Sequence, residues 1–214
     1  MLLHGAHLVS WRPAGPDGQP GDERLYLSER AVFAEGQAVR GGVPVIFPQF
    51  EQRGPLPRHG LARTRHWEVA DSRVGADHAV AVLRLVDDAG TQAHWPHAFE
   101  AELTVSISGP RLDIELAATN TGSEPLRFTA ALHTYLRVAD VALARLEGLS
   151  GLRYIDSTTG EEHLDFNQTV HVHGEIDRIY MRATQTLLLR DQGQRTALES
   201  QGFDDVVVWN PGPE

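Results

Sequence analysis

Residues 99–116 read FEAELTVSISGPRLDIEL, a stretch in which apolar and polar side chains alternate on both sides of a Gly109-Pro110 step. Successive side chains of a β-strand point to opposite faces, so strict alternation is typical of a strand that buries one face. A Gly-Pro step between two such runs marks a tight turn. The stretch therefore predicts an antiparallel hairpin with one buried face and one face in solvent.

A third alternating run begins after the turn-forming residues 120–123 and extends to Val138. Its apolar side chains share one parity and therefore one face of the predicted strand. They are Leu126, Phe128, Ala130, Leu132, Leu136 and Val138. Shorter apolar runs elsewhere are further strand candidates, at residues 80–86, 186–189 and 206–209.

Helical periodicity is rare in this chain. Residues 28–33 and 143–146 are the candidates, for a turn or two of helix each. Residues 12–24 are rich in Pro, Gly and Asp and predict a surface loop. The 20 Gly and 12 Pro residues are frequent enough to separate many short strands. We therefore predict an all-β fold, an antiparallel β-sandwich or a larger curled double sheet, with few short helices.

The composition predicts one globular domain. With 214 residues, of which 41% are hydrophobic, the chain can bury a sizeable core, and we expect a single domain over residues 1–214. Its 19 basic and 29 acidic residues give a net charge of −10, which disfavours binding to nucleic acid or to an anionic membrane surface. The absence of cysteine removes disulfides and fits a reducing compartment. With no signal-like start and no apolar run of about 18 residues, a cytoplasmic protein is expected.

The face of the third run opposite its apolar side chains is polar. It carries Arg127, Thr129, His133, Tyr135 and Arg137. A strand with one apolar face and one face rich in Arg, His and Tyr can line a polar cleft. It can equally be a hydrophilic strand that faces water, and the pattern alone leaves both interpretations open.

A second set of candidate residues lies in a segment rich in Gly and Pro, which reads RGGVPVIFPQF at 40–50 and GPLPRHGLAR at 54–63. Strands need few of these residues, so the segment predicts a long ordered loop system, and such loops are often functional. Glycines after an arginine allow backbone N–H groups to approach an anion while the guanidinium pairs with it. Arg-Gly-Gly is also a common turn, and no Gly-Lys-Ser/Thr follows to make a nucleotide P-loop.

Seven segments in order resemble the hexose-6-phosphate mutarotases of the aldose 1-epimerase superfamily. They are HGAHLVSWRP at 4–13, RGGVPVIFPQF at 40–50, GPLPRHGLART at 54–64, ALHTYLRV at 131–138, GLSGLRYIDS at 148–157, EIDRIY at 175–180 and VVVWNPG at 206–212. The resemblance spans nearly the whole chain. It implies a galactose-mutarotase-like β-supersandwich and an isomerase that interconverts the α and β anomers of a hexose 6-phosphate.

The resemblance also implies roles for individual residues. His133 falls on the family's general acid, and Arg40 and Arg63 fall on its anion-binding arginines, which would hold the phosphate. His59 and Asp177 fall where the superfamily places residues that contact the sugar. The alternative for Asp177 is an ion pair with its neighbour Arg178, although adjacent strand residues point to opposite faces. Gln49, Phe50 and Glu51 are expected to border the cleft, without assigned roles. No cofactor and no metal ion is implied.

The family's catalytic base is a glutamate near the C-terminus, in a strand well beyond the WNP motif. This chain stops at Glu214, four residues after Asn210, and Glu214 resembles the loop that follows the motif. The resemblance therefore implies a chain that is short at both termini relative to the family. A related alternative is a sugar-phosphate binding or sensing protein of the same fold that lacks the base.

Two further alternatives are of other classes. A carbohydrate-binding or structural β-sandwich without an anion site is disfavoured by the presence of both Arg40 and Arg63. A metalloenzyme is suggested by the 11 histidines, among them His171 and His173 on one strand face. It is disfavoured because no carboxylate or third histidine follows at a familiar ligand spacing. The sequence predicts neither the preferred hexose phosphate nor the oligomeric state.

Overall fold

The computed structural model describes residues 1–15 and 18–212, and the chain divides into two compact units, Met1–Arg137 and Val138–Glu214. Within the described residues every strand pairing is antiparallel, which confirms the predicted all-β class. The strands are β1 (Val45–Ile46), β2 (Glu68–Val74), β3 (His78–Val86), β4 (Phe99–Ser108), β5 (Arg111–Asn120), β6 (Ala131–Leu132), β7 (Arg145–Glu147), β8 (Arg153–Asp156), β9 (Glu162–Leu164), β10 (Thr169–His171), β11 (Glu175–Tyr180), β12 (Leu187–Asp191), β13 (Gln194–Leu198) and β14 (Val206–Pro211).

The predicted hairpin is the centre of the first unit. Strands β4 and β5 pair without interruption from Phe99↔Asn120 to Ser108↔Arg111, across the Gly109-Pro110 turn. The odd-numbered side chains of β4 from Phe99 to Val105 are buried, and the intervening polar ones are more exposed, as the alternation predicts. Strands β2 and β3 complete a four-stranded sheet in the order β2-β3-β4-β5.

An aromatic cluster fixes the Gly- and Pro-rich segment to this sheet. The ring of Phe47, which is fully buried, lies 5.6 Å from Trp95, 5.5 Å from Phe99 and 5.1 Å from Phe128 between ring centroids. Burial of a phenyl ring of this size stabilises the fold by about 2–3 kcal/mol. Because Phe47 follows β1 directly, the segment that carries most of the predicted site residues is anchored to the core.

The third alternating run pairs with this segment over most of its length, although only β6 and β1 satisfy the criteria for strands. Hydrogen bonds continue on both sides, from the N–H of Thr129 to Pro48 O (3.0 Å), of His133 to Pro44 O (3.0 Å) and of Tyr135 to Gly42 O (2.8 Å). The two prolines have no N–H to donate in return, so the ladder is interrupted on either side of β1.

The predictions for these two segments therefore need correction. The third run is regular strand only at Ala131–Leu132, and the supposed loop 40–63 contains the buried strand β1. Gly and Pro concealed that strand in the sequence because they weaken strand signals even where the chain is extended.

The helical predictions were wrong. Residues 28–33 form a turn and extended chain, and residues 143–146 lead into strand β7. The α-helix of the described residues, α1, is Ala89–Gln92, and a 3-10 helix occupies Ala62–Thr64. A capping box starts α1: Asp88 accepts the N–H of Thr91 at 2.6 Å and donates its own N–H to the Thr91 hydroxyl at 2.8 Å.

The predicted surface loop 12–24 has no regular strand or helix in its described residues. A single bridge pairs Ala14 with Pro20. Pro16 and Asp17 lie outside the described residues, as does Glu214. Among the helices described, none has the length and apolar character needed to cross a membrane.

The second unit contains two four-stranded sheets, in the orders β10-β7-β12-β13 and β14-β11-β8-β9. The strand candidates at residues 186–189 and 206–209 are confirmed as β12 and β14. Buried side chains from strands of both sheets and from their connections form one core: Leu149, Val170, Ile176, Tyr180, Ala183 and Leu187.

Gly60 offers a test of how the loop is packed against Phe47. Gly60 and Gly36 share a φ of +72°, but a Cβ at Gly60 would collide with the carbonyl oxygen of Phe47, whereas one at Gly36 would meet open space. We expect Gly36→Ala to cost about 1 kcal/mol of unfolding free energy through backbone strain. Gly60→Ala should cost about 2–4 kcal/mol because overpacking adds to the same strain. Urea unfolding of both variants measures the difference, and equal losses would contradict the close approach at Phe47.

Candidate active site

Three of the predicted site segments meet at a group of rings in the first unit. The imidazole of His133 stacks on the ring of Tyr135, with centroids 4.6 Å apart and an interplanar angle of 15°. The ring of His59 lies edge-on to His133 at 5.9 Å and 90°, and Phe50 lies 5.7 Å from His59. The fold thus brings His59 and His133 together from segments that are distant in sequence.

The backbone determines where each histidine points. His133 directly follows β6, and its N–H bond to Pro44 holds it against the β1 segment. His59 has a φ of +68°, and its N–H donates to Glu51 O at 3.0 Å. Its ring Nδ1 accepts the N–H of Glu51 at 3.2 Å. Since Nδ1 is an acceptor here, the hydrogen-bond pattern assigns the ring proton of neutral His59 to Nε2.

The environment of His59 favours the uncharged ring. Burial, the positive charge of Arg63 and the neighbouring His133 and Arg58 together lower the pKa of His59 to about 4, and Glu51 opposes them. Only 8% of the residue is exposed. At neutral pH His59 is therefore a neutral donor through Nε2–H and not a cation.

Three arginines act electrostatically on Tyr135. Burial raises the pKa of Tyr135, and the positive charges of Arg40, Arg63 and Arg58 oppose that rise. Arg58 forms an exposed ion pair with Glu51 at 3.5 Å, and Arg40 is also exposed. The charges of the two predicted anion-binding residues, Arg40 and Arg63, thus act on the ring that stacks on His133.

Arg63 is the least compensated of these charges. Its Nη2 donates to the carbonyl of Arg58 at 2.8 Å, but its Nε is buried without a hydrogen-bond partner. Burial lowers the pKa of Arg63, and no carboxylate of the described residues lies within 4.0 Å of its guanidinium. A buried or half-buried cation without a counter-charge is costly, so an anion bound here would be stabilised strongly.

The glycines that follow Arg40 allow close packing, and the N–H of Gly42 is not free to approach an anion. Gly41 and Gly42 have φ values of +104° and +64°, a region that favours glycine. The N–H of Gly42 donates to the carbonyl of Tyr26 at 2.7 Å and is already used. A Cβ on Gly42 would collide with the carbonyl oxygen of Leu8.

The three residues expected to border the cleft have different surroundings. The amide of Gln49 is buried and fully used, because it accepts the N–H of Leu56 at 2.8 Å and donates to the carbonyls of Leu56 and Glu51. The side chain of Gln49 therefore stabilises the loop over residues 49–56. Phe50 presents its ring to His59, and Glu51 fixes that histidine from the backbone. The sequence pattern places Tyr135 on the polar face of the third run but assigns it no role, and it does not single out Arg58.

Asp177 belongs to the second unit, on β11, where it is half-buried. The alternative ion pair with Arg178 does not form. The guanidinium of Arg178 lies 4.0 Å from Asp165 and 4.7 Å from the ring of Tyr154, and Asp165 also accepts the hydroxyl of Tyr180 at 2.7 Å. Among the described residues the carboxylate of Asp177 has no hydrogen bond or ion pair, so it remains available to a ligand.

A groove of about 1080 Å³ in the first unit adjoins two of the arginines. It is lined in part by Arg58 and Arg63 but not by His59, His133 or Tyr135. Of its histidines, His4 already bonds the carbonyl of Gln37 at 2.7 Å. We place the candidate active site at the ring group because the charges of all three arginines act on Tyr135, the ring on which His133 stacks.

The described part of the chain holds no group of three or more His, Cys, Asp or Glu side chains suited to a metal ion. His171 and His173, which prompted the metalloenzyme alternative, stack in parallel with ring centroids 5.7 Å apart. Two imidazoles without a third ligand do not make a zinc site of the usual kind.

Comparison with known proteins shows the family to which the chain belongs. A model of the aldose 1-epimerase family matches residues 1–214. Proteins of Escherichia coli (strain K12) and Cenchrus ciliaris, both named "Putative glucose-6-phosphate 1-epimerase", are 34% and 33% identical over alignments of 219 and 223 residues. The alignments cover 100% and 99% of this chain but 70% and 66% of those relatives, so the chain spans about two thirds of their length.

The fold has a solved counterpart. The crystal structure of a "putative mutarotase" from Salmonella typhimurium superposes with a TM-score of 0.88 at 30% sequence identity, over 99% of this chain and 70% of that one. This likeness confirms the mutarotase fold that the sequence motifs predict.

The low pKa of His59 should make folding stability depend on pH. Unfolded histidine binds a proton near pH 6.5, whereas folded His59 binds one only near pH 4, so acidification between these values favours the unfolded state. We expect a loss approaching about 3 kcal/mol in unfolding free energy by pH 4, and no contribution above pH 6.5. His59→Asn should abolish this part of the loss, which urea unfolding at pH 7 and pH 4.5 measures. An identical pH dependence of the variant and the parent protein would show that His59 is not the titrating group.

Proposed function

The chain belongs to the aldose 1-epimerase family, and from this premise we propose that it interconverts the α and β anomers of a hexose 6-phosphate. One observation carries the proposal: the charges of Arg40, Arg58 and Arg63 act on Tyr135, the ring on which His133 stacks, and the buried Nε of Arg63 has no hydrogen-bond partner among the described residues. A phosphate site next to a proton-transfer group is what a mutarotase of phosphorylated sugars needs. The names of the two relatives specify glucose 6-phosphate, which is therefore the substrate to test first.

The proposed reaction opens and recloses the sugar ring. A proton is delivered to the ring oxygen while another leaves the anomeric hydroxyl, so the bond from C1 to the ring oxygen breaks and a C1 carbonyl forms. Rotation about the C1–C2 bond and closure on the opposite carbonyl face give the other anomer. Atoms and electrons balance without a redox partner or covalent intermediate. Positioned acid and base groups each contribute about 10²–10⁴-fold to such proton transfers.

We assign the acid role to His133. Imidazole exchanges protons readily near neutral pH, and stacking on Tyr135 restricts the ring to one plane. His59 complements it as a neutral donor, whose Nε2–H can bind a sugar hydroxyl. The family resemblance implies a sugar contact for Asp177, which lies on β11 of the second unit. The family resemblance assigns the base to a glutamate beyond the WNP motif.

Arg40 and Arg63 are the proposed phosphate ligands. Guanidinium groups bind phosphate through charge-assisted, often bidentate hydrogen bonds. Although the whole chain carries a net charge of −10, the charges of three arginines act together on Tyr135. A dianionic sugar phosphate would gain from these charges, and a free hexose would not.

Arg40→Ala should separate phosphorylated from free sugars. We expect the Kd for glucose 6-phosphate to rise roughly 10- to 100-fold, because a charge-assisted hydrogen bond is lost, while any effect on free glucose stays within about twofold. Calorimetric titration measures the first, and NMR of anomer exchange measures the second. Arg73→Ala, which removes an exposed arginine paired with Asp71, is the matched control and should change neither. Equal losses for both sugars would refute the phosphate assignment.

His133→Asn should remove the reaction and keep binding. Exchange between the two anomers of glucose 6-phosphate, followed by two-dimensional exchange NMR, is expected to fall to the rate of the buffer, since asparagine cannot transfer the proton. The Kd for glucose 6-phosphate should stay within about threefold, because the arginines are untouched. His78→Asn, at an exposed histidine of β3, controls for loss of an imidazole. An active His133→Asn would exclude His133 as the acid, and a parent protein that binds without accelerating exchange would favour the sensing alternative.

A further inference from the structure

His7 is a buried titratable residue that the proposed mechanism does not use. It has no exposed surface, and its Nε2 lies 2.6 Å from the carbonyl oxygen of Gly41. Its Nδ1 is buried without a hydrogen-bond partner among the described residues. Buried polar atoms without a hydrogen-bond partner are rare in proteins, so the burial of His7 against the turn after Arg40 needs an explanation.

The protonation state of His7 follows from its partner. A carbonyl oxygen only accepts, so Nε2 carries the proton and Nδ1 presents a lone pair. Burial lowers the pKa of His7 against the opposing effect of the Gly41 hydrogen bond, and the charges of His4 and the N-terminus lower it further. His7 is therefore an uncharged donor, which adds no buried positive charge near Arg40.

The hydrogen bond from His7 is to a turn that links Arg40 to the segment of Tyr135 and His133. Gly41 directly follows Arg40, and the carbonyl of Gly42 accepts the N–H of Tyr135 at 2.8 Å. The ring of Tyr135 in turn stacks on His133. The side chain of His7 bonds the backbone of this turn, and its ring is packed so closely that a Cβ on Gly42 would lie 2.9 Å from Nε2.

We propose that His7 is a positioning residue for the anion-binding half of the site. By holding the Gly41 carbonyl, the neutral imidazole fixes the turn from which Arg40 projects and against which Tyr135 is aligned. This inference rests on the proposed function, because it takes Arg40 as a phosphate ligand. It assigns a role to a residue that contacts neither substrate nor the reacting atoms.

Two substitutions test the donor. His7→Leu removes the N–H and keeps the ring's approximate volume, whereas His7→Gln retains an N–H donor at a similar reach. We expect the Leu variant to raise the Kd for glucose 6-phosphate roughly tenfold, since the Gly41 carbonyl loses its partner and the turn its orientation. The Gln variant should stay within about threefold of the parent protein. Calorimetric titration is performed at a temperature where urea unfolding shows each variant to be fully folded.

A merely structural role predicts a different result, namely a lower unfolding midpoint with an unchanged Kd in both variants, and that would overturn the proposal. If the Leu variant does not fold, a folded Gln variant with a tenfold weaker Kd would also overturn it.

Nitrogen-15 NMR of the His7 ring gives an independent check: the proton is expected on Nε2 at pH 7, and a proton on Nδ1 or a charged ring would contradict the assignment. The Arg40→Ala variant separates the failure of the proposed function from the failure of this inference. If its Kd for glucose 6-phosphate is unchanged, the proposed function is refuted. If its Kd rises while that of His7→Leu equals the Kd of the parent protein, only the role of His7 is refuted.

Discussion

The geometry of the candidate site depends on the backbone pairing between residues 42–48 and 129–135. This pairing brings the turn after Arg40 and the imidazole of His133 to one ladder, although the two lie far apart in sequence. Phe47, buried among three aromatic rings, secures the ladder to the four-stranded sheet. Residues 42–48 thus contribute to the hydrophobic core through Phe47 and to the candidate site through their pairing with the His133 segment. Packing in the core therefore determines where these polar groups lie.

The first unit combines charged arginines with the neutral imidazoles of His59 and His7. The arginines keep their charge at all relevant pH values, whereas burial lowers the pKa of both His59 and His7. A charged His59 would repel Arg63 and Arg58, and a charged His7 would be a buried cation; both would weaken the fold. Held neutral, these histidines donate hydrogen bonds without altering the field. The attraction for an anion is then set by the arginines, and the fixed tautomers determine which ring nitrogen is a donor.

The sequence predicts the hairpin of β4 and β5 because its signals are local, namely a period of two and a turn residue. Parity also places His133 and Tyr135 on one face, and it correctly disfavours an ion pair between Asp177 and Arg178. Strand β1 was not predicted because its flanking prolines weaken the strand signal in the sequence. Helix α1 was not predicted because it is too short to show a helical period. His7 has no local signal at all, because its partner, Gly41, is brought to it only by the tertiary structure.

The two prolines beside β1 have an evolutionary consequence. Pro44 and Pro48 accept hydrogen bonds from the third run and return none, so the pairing is defined at fixed points along the chain. A slip of one residue would exchange the two faces of the third run and turn His133 into the core. The stretch between Gly42 and Pro48 can therefore vary in the identity of its residues but not in their number. Natural variation here should proceed by substitution, while a single inserted or deleted codon would separate His133 from the turn after Arg40 even in a protein that still folds.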